Sequence, residues 1–257
     1  MMSTPIDYSV LDRFNFDYKP VGVKFTITKP DGIERLQKNK NICEMFVEAQ
    51  TGSPFFIGKE DFCCIESIIL GFEDPEPVYV SGLFGSNSGL YKEDRACRKM
   101  YQYLPKMLKG SVKYVAFSSI EKLTYDPDVM VITASVQQAK ILLRSLTYST
   151  GDCITSRTTP VAACSWMYVY PILSGQMNWT VTGLGMGMAA TGIIDPGWII
   201  LSVPWNLMPT MMDNLAELVQ EDMDWTPKKP MGGDALRELS DNARNRLRKQ
   251  LGEEMSY

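Results

Sequence analysis

Six cysteines, at positions 43, 63, 64, 97, 153 and 164, and no histidine in 257 residues set the chemistry open to this chain. The commonest general base, the proton shuttle best matched to neutral pH and the commonest metal ligand are all missing. Thiols, carboxylates, lysine, tyrosine and backbone amides remain. No CxxC pair occurs, so spacing alone defines no cluster motif.

Three of the thiols nevertheless share one local setting. Asn41 is suited to cap a helix reaching Gln50 and stopped by Gly52, which puts Cys43 in its first turn. A short helix from Asp61 to Gly71 puts Cys63 and Cys64 in its first turn. Cys164 opens a helix over Ala162 to Tyr170, just after Pro160. The amides and macrodipole at a helix N-terminus stabilise a thiolate against the thiol. Thiolate is the form that binds soft metals and iron–sulfur clusters, and also the form that attacks electrophiles. The competing reading of each cysteine is a small buried hydrophobe.

Two other features could touch a ligand. Lys24 lies on the less apolar face of a strand and could anchor a phosphate or, if desolvated, act as a nucleophile, although a strand lysine is ordinarily solvated. The stretch Gly183-Leu-Gly-Met-Gly-Met-Ala-Ala-Thr-Gly192 follows a strand, but Ile193 to Gly197 break the helix that a phosphate-binding turn requires. It reads as a flexible or ligand-lining loop. Glu44 and Glu48 read as an exposed helix face, and methionines such as Met107, Met130 and Met211 as core filler rather than copper ligands.

Ile6 to Phe14 reads as an amphipathic helix and Val21 to Ile27 as a half-buried strand in which Val21, Val23, Phe25 and Ile27 alternate with smaller or polar residues. The segment Asp74 to Pro77 is a rigid connector, followed by an expected strand at Val78 to Val80 and a glycine-serine loop at Gly82 to Gly89. Tyr91 to Leu104 and Gln137 to Tyr148 read as helices. Val112 to Phe117, Val129 to Thr133, Asn178 to Thr182 and Trp198 to Val203 read as strands, Ile154 to Thr158 as extended, and Pro209 to Val219 as a further helix. Helices and strands mix without strict alternation, which predicts an α+β fold: a mixed sheet with packed helices in a single compact domain over 1–220. Residues 221–257 add a proline-bearing linker and a charged amphipathic helix capped by Asp234, with Leu236, Leu239, Ala243, Leu247 and Leu251 on a narrow stripe. That stripe suits packing on the body, a homo-oligomer or a partner helix.

Apolar residues at 45% and charged residues at 22% indicate an ordinary globular chain. A net charge of −4 offers no general attraction for nucleic acid, and the basic groups at Arg95–Lys99 and Arg244–Lys249 are accompanied by acids. The first residues lack the pattern of an export signal, and the apolar run Val161 to Leu173 is too short to span a bilayer. A cytoplasmic protein with reduced thiols, and no membrane or nucleic-acid partner, is the expectation.

Several short motifs, in order, resemble one known family. They are Pro20-Val-Gly-Val-Lys-Phe25, Cys43 with Glu48-Ala49, Cys64 with Leu70-Gly71, Pro127-Asp128-Val129, Gln138, Thr150-Gly151, Cys164 with Tyr170-Pro171, Ser174-Gly175 and Val203-Pro204. Together they resemble, over about residues 18–219, the domain of unknown function 169 family, an uncharacterised archaeal conserved region found in many anaerobes. The resemblance singles out Cys43, Cys64 and Cys164, leaves Cys63, Cys97 and Cys153 as additions, and departs from the family at Gly185 to Met188. No activity comes with it.

The expectation is a metal or iron–sulfur protein in which Cys43, Cys64 and Cys164 hold a cluster, [4Fe–4S] by preference, with a redox or electron-transfer accessory role and a redox partner protein. The alternatives are a small-molecule enzyme with Cys64 or Cys164 as nucleophile and Lys24 as an anion contact, or a non-catalytic binding or assembly subunit.

Overall fold

The alternation that begins at Val21 forms a central strand. Seven strands, β1 (Val21–Thr26), β2 (Glu34–Arg35), β3 (Phe55–Ile57), β4 (Tyr114–Ser119), β5 (Val129–Ala134), β6 (Asn178–Val181) and β7 (Ile199–Pro204), make one sheet in the order β2-β3-β4-β1-β5-β7-β6. β2 runs parallel to β3 and every other neighbouring pair is antiparallel, so the sheet is mixed and the fold is α+β. The computed structural model describes residues 6–37, 40–62, 66–159, 161–181, 192, 194–195, 197–218 and 233–254. The chain divides into two units, Met1–Val219 and Gln220–Tyr257.

Period-2 alternation sorts the strands onto two faces. Val21 and Val23 of β1, Val115 and Phe117 of β4, Val129 and Val131 of β5 and Ile200 of β7 share the main apolar cluster with Ile42, Met45, Phe46 and Ala49 of α1 (Ile42–Thr51). Between these two strands the sequence also builds a clasp. The β1–β5 pairing stops at Val23↔Val129, and the freed Phe25 amide instead donates to Asp128 Oδ2 at 2.7 Å, while the Asp128 amide donates to the Val23 carbonyl at 2.9 Å. A Cβ at Gly22 would lie 2.6 Å from Leu123 Cδ1 and 3.1 Å from Pro127 Cγ, so the two motif segments meet across a glycine.

Short helices follow: α2 (Glu66–Ile69), α3 (Pro77–Val80), α4 (Leu83–Asn87) and α5 (Asp94–Tyr103). Four expectations are corrected here. The helix expected from Asp61 to Gly71 is described only over Glu66–Ile69, with Asp61 closing a 3₁₀ turn (Lys59–Asp61) and Phe62 extended. Val78–Val80 is helical rather than a strand, because Pro77 supplies a preset first helical position. The expected glycine-serine loop contains α4, entered through Gly82 at φ +89, where a Cβ would fall 2.1 Å from the Asp94 carbonyl oxygen. Ile6–Phe14 is likewise a 3₁₀ helix confined to Ser9–Phe14.

On the far side of the sheet, α6 (Val136–Thr147) packs against β5, β7 and a later helix. Its start is fixed by a capping box in which Ser135 Oγ accepts from the Gln138 amide and Gln138 Oε1 accepts from the Ser135 amide. The helix expected at Ala162–Tyr170 runs further, through a π-helical turn at Ser165–Val169 into α7 (Tyr170–Ser174). Ile154–Thr158 forms no strand; Ser156, Arg157 and Thr158 bond to Asn178, Trp179 and Thr180 of β6 instead. The last helix of the first unit is α8 (Met208–Leu218), and the second unit contains α9 (Gly233–Glu254). Among the described residues no helix is long and apolar enough to cross a membrane.

Candidate functional site

Cys43 is the second residue of α1, as its cap requires. Asn41 Oδ1 accepts from the Glu44 amide and Glu44 Oε2 accepts from the Asn41 amide, each at 3.0 Å. This reciprocal box fixes the turn that carries the thiol. Glu44 is therefore a structural cap, and Glu48, one turn on, pairs with Lys40. Cys43 is half-buried and packs against the main apolar cluster.

Cys164 reaches the same cluster from a different direction. Ala162, one of two non-glycine residues with positive φ among the described residues, takes a left-handed turn at φ 57, and its carbonyl accepts from the Ser165 amide at 3.0 Å. The chain thus turns directly into the helix whose first turn holds Cys164. Left-handed alanine is costly, and both it and the π-helical turn that follows are features that concentrate at functional sites. Cys164 is 6% exposed, Ser165 behind it is fully buried with its hydroxyl donating to the Pro105 carbonyl, and Met167 and Tyr168 extend the cluster.

Cys64, with Cys63, lies outside the described residues, but its neighbours are placed. Phe62 packs into the main cluster and against Phe72, ring centroids 5.2 Å apart, and Ile69 and Leu70 are buried in that cluster too. A parallel bridge joins Phe62 to Lys40. The segment entering Cys43 and the segment entering Cys64 are therefore neighbours in space. Among the described residues no group of three or more cysteine, aspartate or glutamate side chains could hold a metal ion.

Lys24 stands apart from the thiols. It alternates with Val23 and Phe25, so it occupies the face of β1 turned away from the main cluster, where its Nζ donates to the Asp126 carbonyl at 2.6 Å. It lines an open cleft of about 230 Å³ with Thr26, Lys29 and Tyr125. Asp128 beside it has its carboxyl pushed up by burial, against the opposing effects of the Phe25 amide and Lys24. Lys24 and Asp128 act together as a clasp on the β1–β5 corner.

The remaining described cysteines belong elsewhere. Cys97 is 1% exposed in a second apolar cluster with Met100, Tyr101, Val161 and Trp166, and burial pushes its thiol up. Cys153 is exposed in a cleft of about 480 Å³. The glycine-rich stretch 183–191 lies outside the described residues. Sequence reading overlooked Gln50, 3% exposed at the end of α1, whose Nε2 lies 3.4 Å from Thr133 Oγ1 and whose Oε1 has no hydrogen-bond partner among the described residues. A glutamine next to the apolar stripe of a capped helix was the available signal.

A family model described as DUF169, an uncharacterised ArCR, matches residues 11–214. The chain belongs to this family. No curated protein and no solved structure matches it. The DUF169 match spans the sheet, the Lys24–Asp128 clasp and the two helix starts that carry Cys43 and Cys164, and it ends within α8.

Proposed function

We propose that this DUF169 protein is a thiolate-ligated iron–sulfur protein with a redox or electron-transfer accessory role, in which Cys43, Cys64 and Cys164 hold a [4Fe–4S] cluster. One observation carries the reading: Cys43 and Cys164 occupy first helical turns packed into one apolar cluster, and the bridge Lys40↔Phe62 ties the approach to Cys64 to that of Cys43. Thiolates are the soft donors that suit such a cluster, and a chain without histidine has no imidazole to offer in their place. The amide groups at the helix starts of Cys43 and Cys164 favour the ionised sulfur, and Cys164 is also buried among apolar side chains. A bound cluster supplies one-electron chemistry. Three thiolates leave one iron for Cys63, another ligand or a substrate. A reducing cytoplasm would keep the thiols available, and a redox protein would be the partner.

The test is anaerobic preparation followed by iron, acid-labile sulfide and visible absorption. Substituting serine for Cys43, Cys64 or Cys164 singly is expected to lower bound iron several-fold, while Cys97→Ser and Cys153→Ser retain it. A colourless, iron-free protein that resists reconstitution overturns the proposal. One strongly alkylated thiol in such a protein would point to a cysteine nucleophile instead.

A further inference from the structure

We propose that Asn178 is a positioning residue for Cys164: its side-chain amide holds the π-helical turn in the register that brings the Cys164 sulfur to the main apolar cluster. This deepens the thiolate reading of Cys164, on which its functional meaning rests. The need for such a residue begins at Pro171. In an α-helix the Trp166 carbonyl would accept from the Tyr170 amide, four residues on. Here the Tyr170 amide donates to the Ser165 carbonyl, five residues back, which is the π-helical pattern. Continued by one residue, that pattern would give the Trp166 carbonyl the amide of residue 171, and proline has none. A carbonyl on a residue 4% exposed is thus left without a helical donor, a costly state in a core. Asn178 Nδ2 supplies the missing donor at 2.9 Å.

The amide is committed to this geometry from both ends. Asn178 opens β6 and is 1% exposed. Its Oδ1 accepts from the Arg157 amide at 2.9 Å and from Ser156 Oγ at 3.1 Å, and its Nδ2 donates to the Arg157 carbonyl at 2.8 Å as well as to Trp166. All four hydrogen-bonding positions of a carboxamide are therefore used. The reversed amide would set its oxygen against two carbonyls and its nitrogen against the Arg157 amide. An aspartate would have no donor to give.

The consequence for Cys164 is rotational. A π-turn carries one residue more than the α-helix it interrupts. If the Tyr170 amide returned to Trp166, the helix would close up by that residue, and Cys164 would turn by about 100° around the axis and move by about 1.5 Å along it relative to α7. In the structure Cys164 lies with Ala163, Met167 and Tyr168 in the main cluster, against which Cys43 packs, whereas Trp166 belongs to the cluster of Cys97. The register that Asn178 holds decides whether the Cys164 sulfur meets the cluster that Cys43 meets.

Native-state alkylation of the iron-free full chain with iodoacetamide, followed cysteine by cysteine by peptide mass spectrometry, reads the setting of Cys164. In the parent the buried Cys164 is expected to react slowly and the exposed Cys153 fast. Asn178→Ala is expected to speed Cys164 about tenfold or more while Cys97 stays protected. Ser156→Ala with Thr158→Val loosens the neighbouring segment without touching the Trp166 carbonyl, and is expected to leave the Cys164 rate within about twofold of the parent. Pro171→Ala returns an amide to the position that the π pattern needs, so in that background Asn178→Ala is expected to change the Cys164 rate by less than about threefold. Simple loss of packing would show no such rescue. Cys164 still protected in Asn178→Ala, equal exposure in the Ser156→Ala, Thr158→Val chain, or a double variant as reactive as Asn178→Ala alone, or unfolded, overturns the proposal. After reconstitution with iron and sulfide, bound iron is expected to fall several-fold in Asn178→Ala and to return in the double variant; parental iron in a variant whose Cys164 has become reactive overturns the positioning role. A parent that binds no iron overturns the thiolate reading alone, because the alkylation rates still decide the register.

Discussion

Gly85 and Cys97 offer a way to separate a packing thiol from a ligand thiol. A Cβ added at Gly85 would sit 2.3 Å from Cys97 Sγ, 3.2 Å from Cys97 Cβ and 3.2 Å from Tyr91 Cδ2. Alanine suits a helix better than glycine by roughly 0.5–1 kcal/mol. Displacing a sulfur buried among Met100 and Tyr101 costs more, about 1–3 kcal/mol for an overpacked core. Gly85→Ala is therefore expected to destabilise by about 1–2 kcal/mol. Cys97→Ala removes the sulfur and leaves a small void, at about 1 kcal/mol. In the double variant the new methyl fills that void, and only the two 3.2 Å approaches remain to be relaxed. Its stability is expected within about 1 kcal/mol of the parent, a coupling of about 2 kcal/mol between residues in contact. Urea unfolding followed by tryptophan fluorescence measures the cycle, and iron analysis of the same samples is expected to show no loss. Additive single effects would refute the packing argument; loss of iron in Cys97→Ala would place that thiol at the centre and refute the choice of ligands.

The clasp gives a second test, because Asp128→Ala leaves the Phe25 amide without its acceptor and is expected to cost about 1–3 kcal/mol, whereas Asp128→Asn keeps an oxygen there and is expected to cost less than about 1 kcal/mol. Burial pushes the Asp128 carboxyl above its unfolded value, so the folded state holds the proton longer as pH rises. Stability contributed by this group is present below the usual carboxylate range and is lost as pH rises through the raised value; the parent should lose stability relative to Asp128→Asn across that window, and the opposite slope in paired denaturation curves would contradict the assignment. Ala162→Gly relieves a left-handed alanine and is expected to raise stability by up to about 1 kcal/mol in thermal unfolding; a lower midpoint would contradict the strain assigned to this turn.

What could be read from the chain alone follows the range of the forces involved. The cap at Asn41, the alternation through β1 and the β-branched runs of β5 and β7 are local, and each formed where its residues indicated. Val78–Val80 misled because β-branched residues report a preference for strands, while Pro77 and the space between Gly82 and α5 decide for helix. Ala162 to Tyr170 reads as an ordinary helix, yet it contains a π-turn with every side chain from Ser165 to Val169 buried, a cost met by tertiary packing that no local pattern records.

The same distinction bears on the thiols. Helix starts single out cysteines one by one, because capping is decided within four residues. Whether they meet depends on the sheet order, which sets β3 beside β4, the start of α1 beside Phe62, and the helix at Cys164 onto the shared cluster. Lys24 shows the converse. Its neighbours in the motif, Val23 and Phe25, share the face of the main apolar cluster, but a period of two turns Lys24 away to the Asp126–Asp128 corner. A residue can therefore belong to the same short motif as core residues and still serve only the strand that carries it. The serine and alanine series on Cys43, Cys64, Cys97 and Cys164 draws that line experimentally, by loss of iron on one side and loss of packing alone on the other.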